Sequence, residues 1–158
     1  MVIAFIRTTL EDEFLQEEGR RLYLTTEQAR FVMPTDDTVP ADTMERFRSD
    51  PFFPLYVQLV ENDEVDPQEE CASLREFLEA EGVRERFTQT KPKLKNEDEW
   101  DTIWLSVSMP AVSQDGREAI MLSGLTFGPL AGGGSEVYLR RSRQGEWVIK
   151  YEKSTWIS

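Results

Sequence analysis

The chain has no histidine among its 158 residues. Histidine is the side chain whose unperturbed pKa suits proton transfer near neutrality, and it is the commonest metal ligand. Its absence excludes Ser-His-Asp and Cys-His mechanisms and the usual zinc sites. Only carboxylate-based catalysis stays open. The single cysteine, Cys71, rules out an intrachain disulfide and fits a reducing compartment. No apolar run approaches the ~20 residues that span a bilayer. The opening MVIAFIRTTLEDEF lacks a basic leading region and a small-residue cleavage site, so no secretory signal is read there and a cytoplasmic location is expected. Basic side chains are scarce too: 18 Lys and Arg stand against 30 Asp and Glu, a net charge of −12. Phosphate and anionic membrane surfaces are held by clustered cations, so neither nucleic acid nor membrane is expected as a partner.

What is present suits one globular domain over 1–158, with 39% hydrophobic residues to fill a core. The charge is uneven. Residues 1–101 carry 25 acidic and 12 basic side chains, a net of −13, whereas residues 102–158 carry 5 and 6, a net of +1. The second part reads as strands. In IWLSVSM, Ile103, Leu105, Val107 and Met109 alternate with Trp104, Ser106 and Ser108, the period-2 pattern of a half-buried strand. Turn chemistry follows in SQDG (113–116). EAIMLSGLTF (118–127) is apolar on both parities, as a central strand covered on both faces would be. SEVYLRR and WVIKYEKSTW give two more strands around the turn SRQGE, with Trp147, Ile149 and Tyr151 on one face. Trp156 has the opposite parity, so either a bulge falls between 152 and 155 or its side chain faces the other way. Four consecutive strands with short turns make an antiparallel meander.

Upstream, DPQEECASLREFLEAEGV predicts a helix over 67–81. Asp66 is its N-cap, Pro67 sits at N1 and Glu69 completes a capping box. Cys71, Leu74, Phe77 and Leu78 form the apolar stripe, and Gly82 with Val83 closes the C-terminus. PLYVQLV (54–60) alternates Leu55, Val57 and Leu59 against Tyr56 and Gln58, which predicts a strand. Residues 1–50 read as a mainly helical extension. One helix is expected to begin near Thr8 or Thr9, a second at Thr25 or Thr26, and a short one in TMERFRSD ahead of Pro51; 34–42 is a loop, and TKPKLKNEDEW (90–100) a polar connection.

Strand, helix and four-strand meander over 54–158 is the chain order of the cystatin-like fold, and the related NTF2-like cone ends in a similar meander. The closing segment GPLAGGGSEVYLRRSRQGEWVIKYEKSTWIS resembles the C-terminus of a group of uncharacterised bacterial proteins with a GPL-G-G turn, a tyrosine-bearing strand and a G-W-V-K…W-I-S ending. LYVQLVENDEVDPQEECASLREFL is similar to their strand-then-helix portion, so the resemblance spans about 55–158. It implies an α+β, cystatin-like domain and no particular activity. The Gln-x-Val-x-Gly hairpin of cystatin inhibitors is missing.

Four features invite a functional reading. The glycines of TFGPLAGGGSEVYL lead into a strand with no following Lys-Ser/Thr, so they read as a connection or bulge needing positive φ and not as a phosphate loop. ENDEVDPQEE puts Val65 and Asp66 where a calcium loop needs a ligand and a glycine, so no metal or other cofactor is expected. Cys71 reads as a packed small residue. The tryptophans fit core and sheet packing, or the lining of a pocket enclosed by a curved sheet. With no catalytic residues indicated, the leading expectation is a non-catalytic protein-interaction domain, one version of which is an immunity-type protein that blocks a basic toxin. Its acidic surface would include Glu61, Asp63, Glu64, Glu97, Asp98 and Glu99. The alternative is an NTF2-like pocket, binding or enzymatic, that uses carboxylates and tryptophans.

Overall fold

The computed structural model describes residues 1–11, 21–25, 31–63, 65–81, 84–86, 102–127 and 131–157. The chain is α+β, with a mixed sheet and helices on both of its faces. In chain order the elements are α1 (Val2–Leu10), β1 (Arg21–Thr25), α2 (Ala41–Arg48), α3 (Phe53–Glu61), α4 (Pro67–Glu70), α5 (Ala72–Ala80), β2 (Arg84–Arg86), β3 (Thr102–Val107), β4 (Ala111–Val112), β5 (Glu118–Phe127), β6 (Ala131–Arg141) and β7 (Trp147–Ile157). The sheet order is β2-β1-β3-β5-β6-β7, with β4 paired to β5. β1 runs parallel to β2 and β3, and the remaining pairs are antiparallel.

Side chains on the strands alternate between two cores. On one face Leu105, Val107, Ala119, Met121, Val137 and Leu139 pack beneath Val2, Phe5 and Ile6 of α1 and Leu74 and Leu78 of α5. On the other, Ala111, Ile120, Leu122 and Tyr138 meet Leu55, Tyr56 and Leu59 of α3. This double cover is why β5 is apolar at both parities. β3 is covered twice as well: Trp104, expected on an open face, is buried and its ring stacks on Tyr23 at 5.0 Å. Half-burial is therefore corrected to full burial there, because the parallel neighbour β1 brings an aromatic of its own.

The predicted strand at 54–60 is a helix. Asp50 Oδ1 accepts the Phe52 N–H at 2.7 Å, and Pro54 lies in the first turn, where a missing N–H costs nothing. Leu55, Tyr56 and Leu59 then fall on one helical stripe, while Val60 turns outward. The period-2 reading fitted because positions 55 and 59 satisfy both spacings. Gln58 has a specific task that no exposed strand residue would have: its Oε1 accepts the Val112 N–H of β4 at 2.9 Å.

Other expectations shift at their boundaries. The helix over 67–81 is present in two pieces, because Cys71 is extended (φ −114°, ψ 91°) and its carbonyl accepts from Leu74 and Arg75. Cys71 therefore starts α5 and packs only partly against the core, while Leu74 and Leu78 are fully buried. At the N-terminus, α1 ends at Leu10, close to where a helix was expected to start, and Thr25 closes a strand. The short helix before Pro51 is α2. Gly82, Val83 and the connection 90–100 lie outside the described residues.

The glycine segment is corrected most sharply. Gly132, Gly133 and Gly134 are inside β6, and among the described residues positive φ occurs only at Gly116 and Gly145, in the two hairpin turns. What demands small residues is Trp156. A Cβ on Gly134 would overlap the indole Nε1 and come within 2.8 Å of Cδ1; one on Gly132 would lie 2.8 Å from the Leu125 carbonyl and 3.2 Å from the indole Cη2. The indole thus lies flat on bare backbone. Trp156 reaches that place through two register slips in β7, which leave Lys150 and Thr155 as extra residues. The slip at Thr155 is the bulge that was one of the two alternatives for Trp156. The slip at Lys150 was not foreseen, and it moves Tyr151 off the face of Trp147 and Ile149 onto that of Tyr138.

Candidate functional site

β6 carries Glu136 and Tyr138 two residues apart, so both point to the face covered by α3. Across the ladder they oppose Lys153 and Tyr151 of β7, which the Lys150 bulge has rotated into place. From above, α3 contributes Tyr56. Three donors converge on one atom of Glu136. Glu136 Oε2 accepts from Tyr138 Oη at 2.8 Å, from Tyr56 Oη at 3.1 Å and from Lys153 Nζ at 3.3 Å. The two tyrosine hydroxyls also hydrogen-bond each other. Two phenolic protons serve these three contacts, so the best-aligned arrangement is a relay in which Tyr56 donates to Tyr138 and Tyr138 to the carboxylate.

Burying a carboxylate is costly unless it is paired and hydrogen-bonded. The Glu136 side chain is only 7% exposed, against 63% for Lys153, so the network has one anchored end and one solvent end. Aromatic rings fence it: Tyr151 stacks on Tyr138 at 4.2 Å, Phe52 meets Tyr138 edge-on at 5.1 Å, and Phe31 stacks on Tyr56 at 4.9 Å. Burial is the first cause that pushes the Tyr56 hydroxyl up to about 12, and the negative charge of Glu136 adds to it. Burial likewise raises Tyr138, followed by its hydrogen bonds with Tyr56 and Glu136. Both hydroxyls therefore remain protonated donors across the physiological range.

Beside this network lies an open cleft of about 480 Å³, lined among others by Phe31, Leu122, Glu136, Lys153, Thr155 and Trp156. Glu136 is its buried acid. Among the described residues no group donates to Glu136 Oε1. A second open cleft, of about 410 Å³, lies between α1 and the opposite face, over Ser123, Ser135 and Ser154, which stand in one row across three strands. Trp156 borders both.

The acidic residues singled out from sequence are elsewhere. Glu61 is exposed at the end of α3 and Asp63 half-buried just beyond it, and neither lines either of these two clefts. Glu64, Glu97, Asp98 and Glu99 lie outside the described residues. Sequence reasoning missed Glu136, Tyr138, Lys153 and Tyr56. A signal for the first pair existed in SEVYLRR, where an acid and a tyrosine share parity inside a strand with an apolar opposite face. Nothing local joins them to Tyr56, eighty residues away.

The helical stretch 31–81 carries 14 acidic and 3 basic side chains. Because α3 and α5 cover opposite faces of the sheet, this charge is distributed to both sides of the molecule. No helix among the described residues is long and apolar enough to cross a membrane. Comparison with protein-family models, with curated proteins and with solved structures returns no match.

Proposed function

We propose that the chain is a small-molecule-binding domain whose recognition site is the cleft beside Glu136 and Trp156. One observation carries the reading: a largely buried carboxylate side chain that lines an open cleft and whose Oε1 takes no donor among the described residues. A buried acceptor left unmade costs about 1–3 kcal/mol, so a fold that keeps one beside a cavity gains by receiving a donor there. The volume suits a small organic ligand, for which pockets run from about 300 to 1,000 Å³. The tyrosines and the lysine hold the carboxylate in one orientation, as suits a fixed acceptor in a binding site. The cystatin-like and NTF2-like resemblance of the C-terminal part belongs to the same proposal, since curved sheets of that kind enclose pockets.

The test is a fragment screen on the isotopically labelled chain, read by amide and indole chemical shifts. Saturable shifts concentrated at Phe31, Glu136, Lys153 and Trp156 support the reading. Binding confined to other surfaces, or none at millimolar fragment, overturns it.

The charge of the helical stretch favours a second reading, a protein partner of basic character, of which an immunity-type role is one version. Long-range attraction would speed the encounter, and salt would screen it over a Debye length of about 8 Å at physiological strength. Charge reversal at Glu61, Asp63 and Glu64 should then slow association with a partner captured at low salt. A partner that is neutral or acidic, with a salt-independent association rate, would end this reading.

A further inference from the structure

We infer that the ligand of the Glu136 cleft is an uncharged, flat molecule that presents a hydroxyl or N–H donor, and not an organic cation. This rests on the small-molecule reading above and specifies its chemistry. The first ground is that no donor among the described residues reaches Glu136 Oε1, which selects a ligand that gives a proton to a hydrogen bond over one that only accepts. The second is that the charge of Glu136 is already answered. Lys153 Nζ lies 3.3 Å from the other carboxylate oxygen, so a second cation would meet one already in place and leave the site with a net positive charge. The third is shape. Phe31 and Trp156 border the cleft, and the indole is held flat against Gly132 and Gly134, where it offers a planar wall to a planar partner.

Burial also separates the two ends of the pair. Lys153 is the exposed member, so its charge can be removed without disturbing the core, whereas the largely buried Glu136 cannot be replaced so freely. Lys153 therefore acts as the selector against cationic ligands, and Glu136 as the acceptor that any ligand must satisfy.

Three probes of one ring system separate these roles: 2-naphthol as neutral donor, 2-methoxynaphthalene without a donor, and 2-naphthylmethylammonium as charged donor. Affinities are measured by chemical-shift titration of the full chain, following the Trp156 indole N–H and the Glu136 and Lys153 amides. The expected result is that 2-naphthol binds at least about tenfold more tightly than either analogue, since each 1.4 kcal/mol is a factor of ten and one hydrogen bond to a charged group is worth about that. In Lys153→Gln the ammonium probe should gain about tenfold and draw level with the naphthol. Equal affinity of all three probes in the cleft would leave the small-molecule reading standing and overturn the donor inference. An ammonium preference in the unaltered chain would overturn the neutral-ligand inference alone. Absence of binding by every probe, together with an empty fragment screen, would overturn both.

Discussion

Alanine at Gly134 and at Gly133, adjacent residues of one strand, should have opposite consequences. Neither position has positive φ, so alanine is conformationally acceptable at both and should gain roughly 0.5–1 kcal/mol from the reduced backbone freedom of the unfolded chain. The difference lies in what the new methyl meets. At Gly133 the nearest atom is the Trp156 carbonyl oxygen at 3.4 Å, an ordinary contact. At Gly134 the methyl would occupy the place of the Trp156 indole. Overpacking of this kind costs about 1–3 kcal/mol, or the indole lifts off the strand and the contact is lost. Trp156 is 48% exposed, so lifting is open to it and the lower half of that range is expected. Gly134→Ala should thus destabilise by about 1–2 kcal/mol in urea unfolding, while Gly133→Ala is neutral or slightly stabilising. Placing Gly134→Ala in a Trp156→Ala background should abolish its cost, since the two residues couple only through their contact. Equal costs at 133 and 134, or a Gly134 cost that survives without the indole, would refute the account and return the glycines to a role in turning the chain.

The other predictions address the core, the helix correction and the buried network. Leu74→Ala should cost about 2–5 kcal/mol by denaturant titration, because Leu74 is sealed between α5 and the sheet; a loss below about 0.5 kcal/mol would mean the stripe is misplaced. Gln58→Ala should cost about 1 kcal/mol and raise hydrogen exchange at the Val112 amide, which loses that acceptor, whereas an exposed strand residue would show neither effect. Stability should be unaffected by Tyr56 and Tyr138 below pH 10 and fall as pH rises through the interval from 10 to about 12. Their folded hydroxyls titrate later than the unfolded ones, so the unfolded state loses its protons first. Tyr56→Phe should flatten that alkaline slope in pH-dependent urea unfolding, and an unchanged slope would show that the hydroxyl is not held protonated by the fold. Tyr138→Phe removes the shortest donor to Glu136 Oε2 and should cost about 1–3 kcal/mol, which differential scanning calorimetry would register as a lowered Tm.

The sequence by itself determined those features whose signal is local. The covered character of β5 is written in apolar residues at both parities, and the turns at 113–116 and 142–146 in polar residues with a glycine, Gly116 and Gly145, where φ turns positive. The buried stripe of α5 follows from 3.6-residue spacing. The absence of histidine settled the exclusion of whole catalytic classes before any fold was known. Tertiary structure decided what depends on partners distant in the chain. Residues 55 and 59 satisfy strand and helix spacing alike, and the turn built on Asp50 together with the apolar surface beneath Tyr56 selected the helix. The glycines of β6 carry no local mark of their purpose, because the reason for them is a tryptophan twenty-two residues onward that arrives through two register slips. Glu136 likewise looks like an ordinary strand acid until Tyr56, Tyr138 and Lys153 enclose one of its oxygens. A buried charge is stable only through neighbours that satisfy it, and here only folding brings those neighbours together.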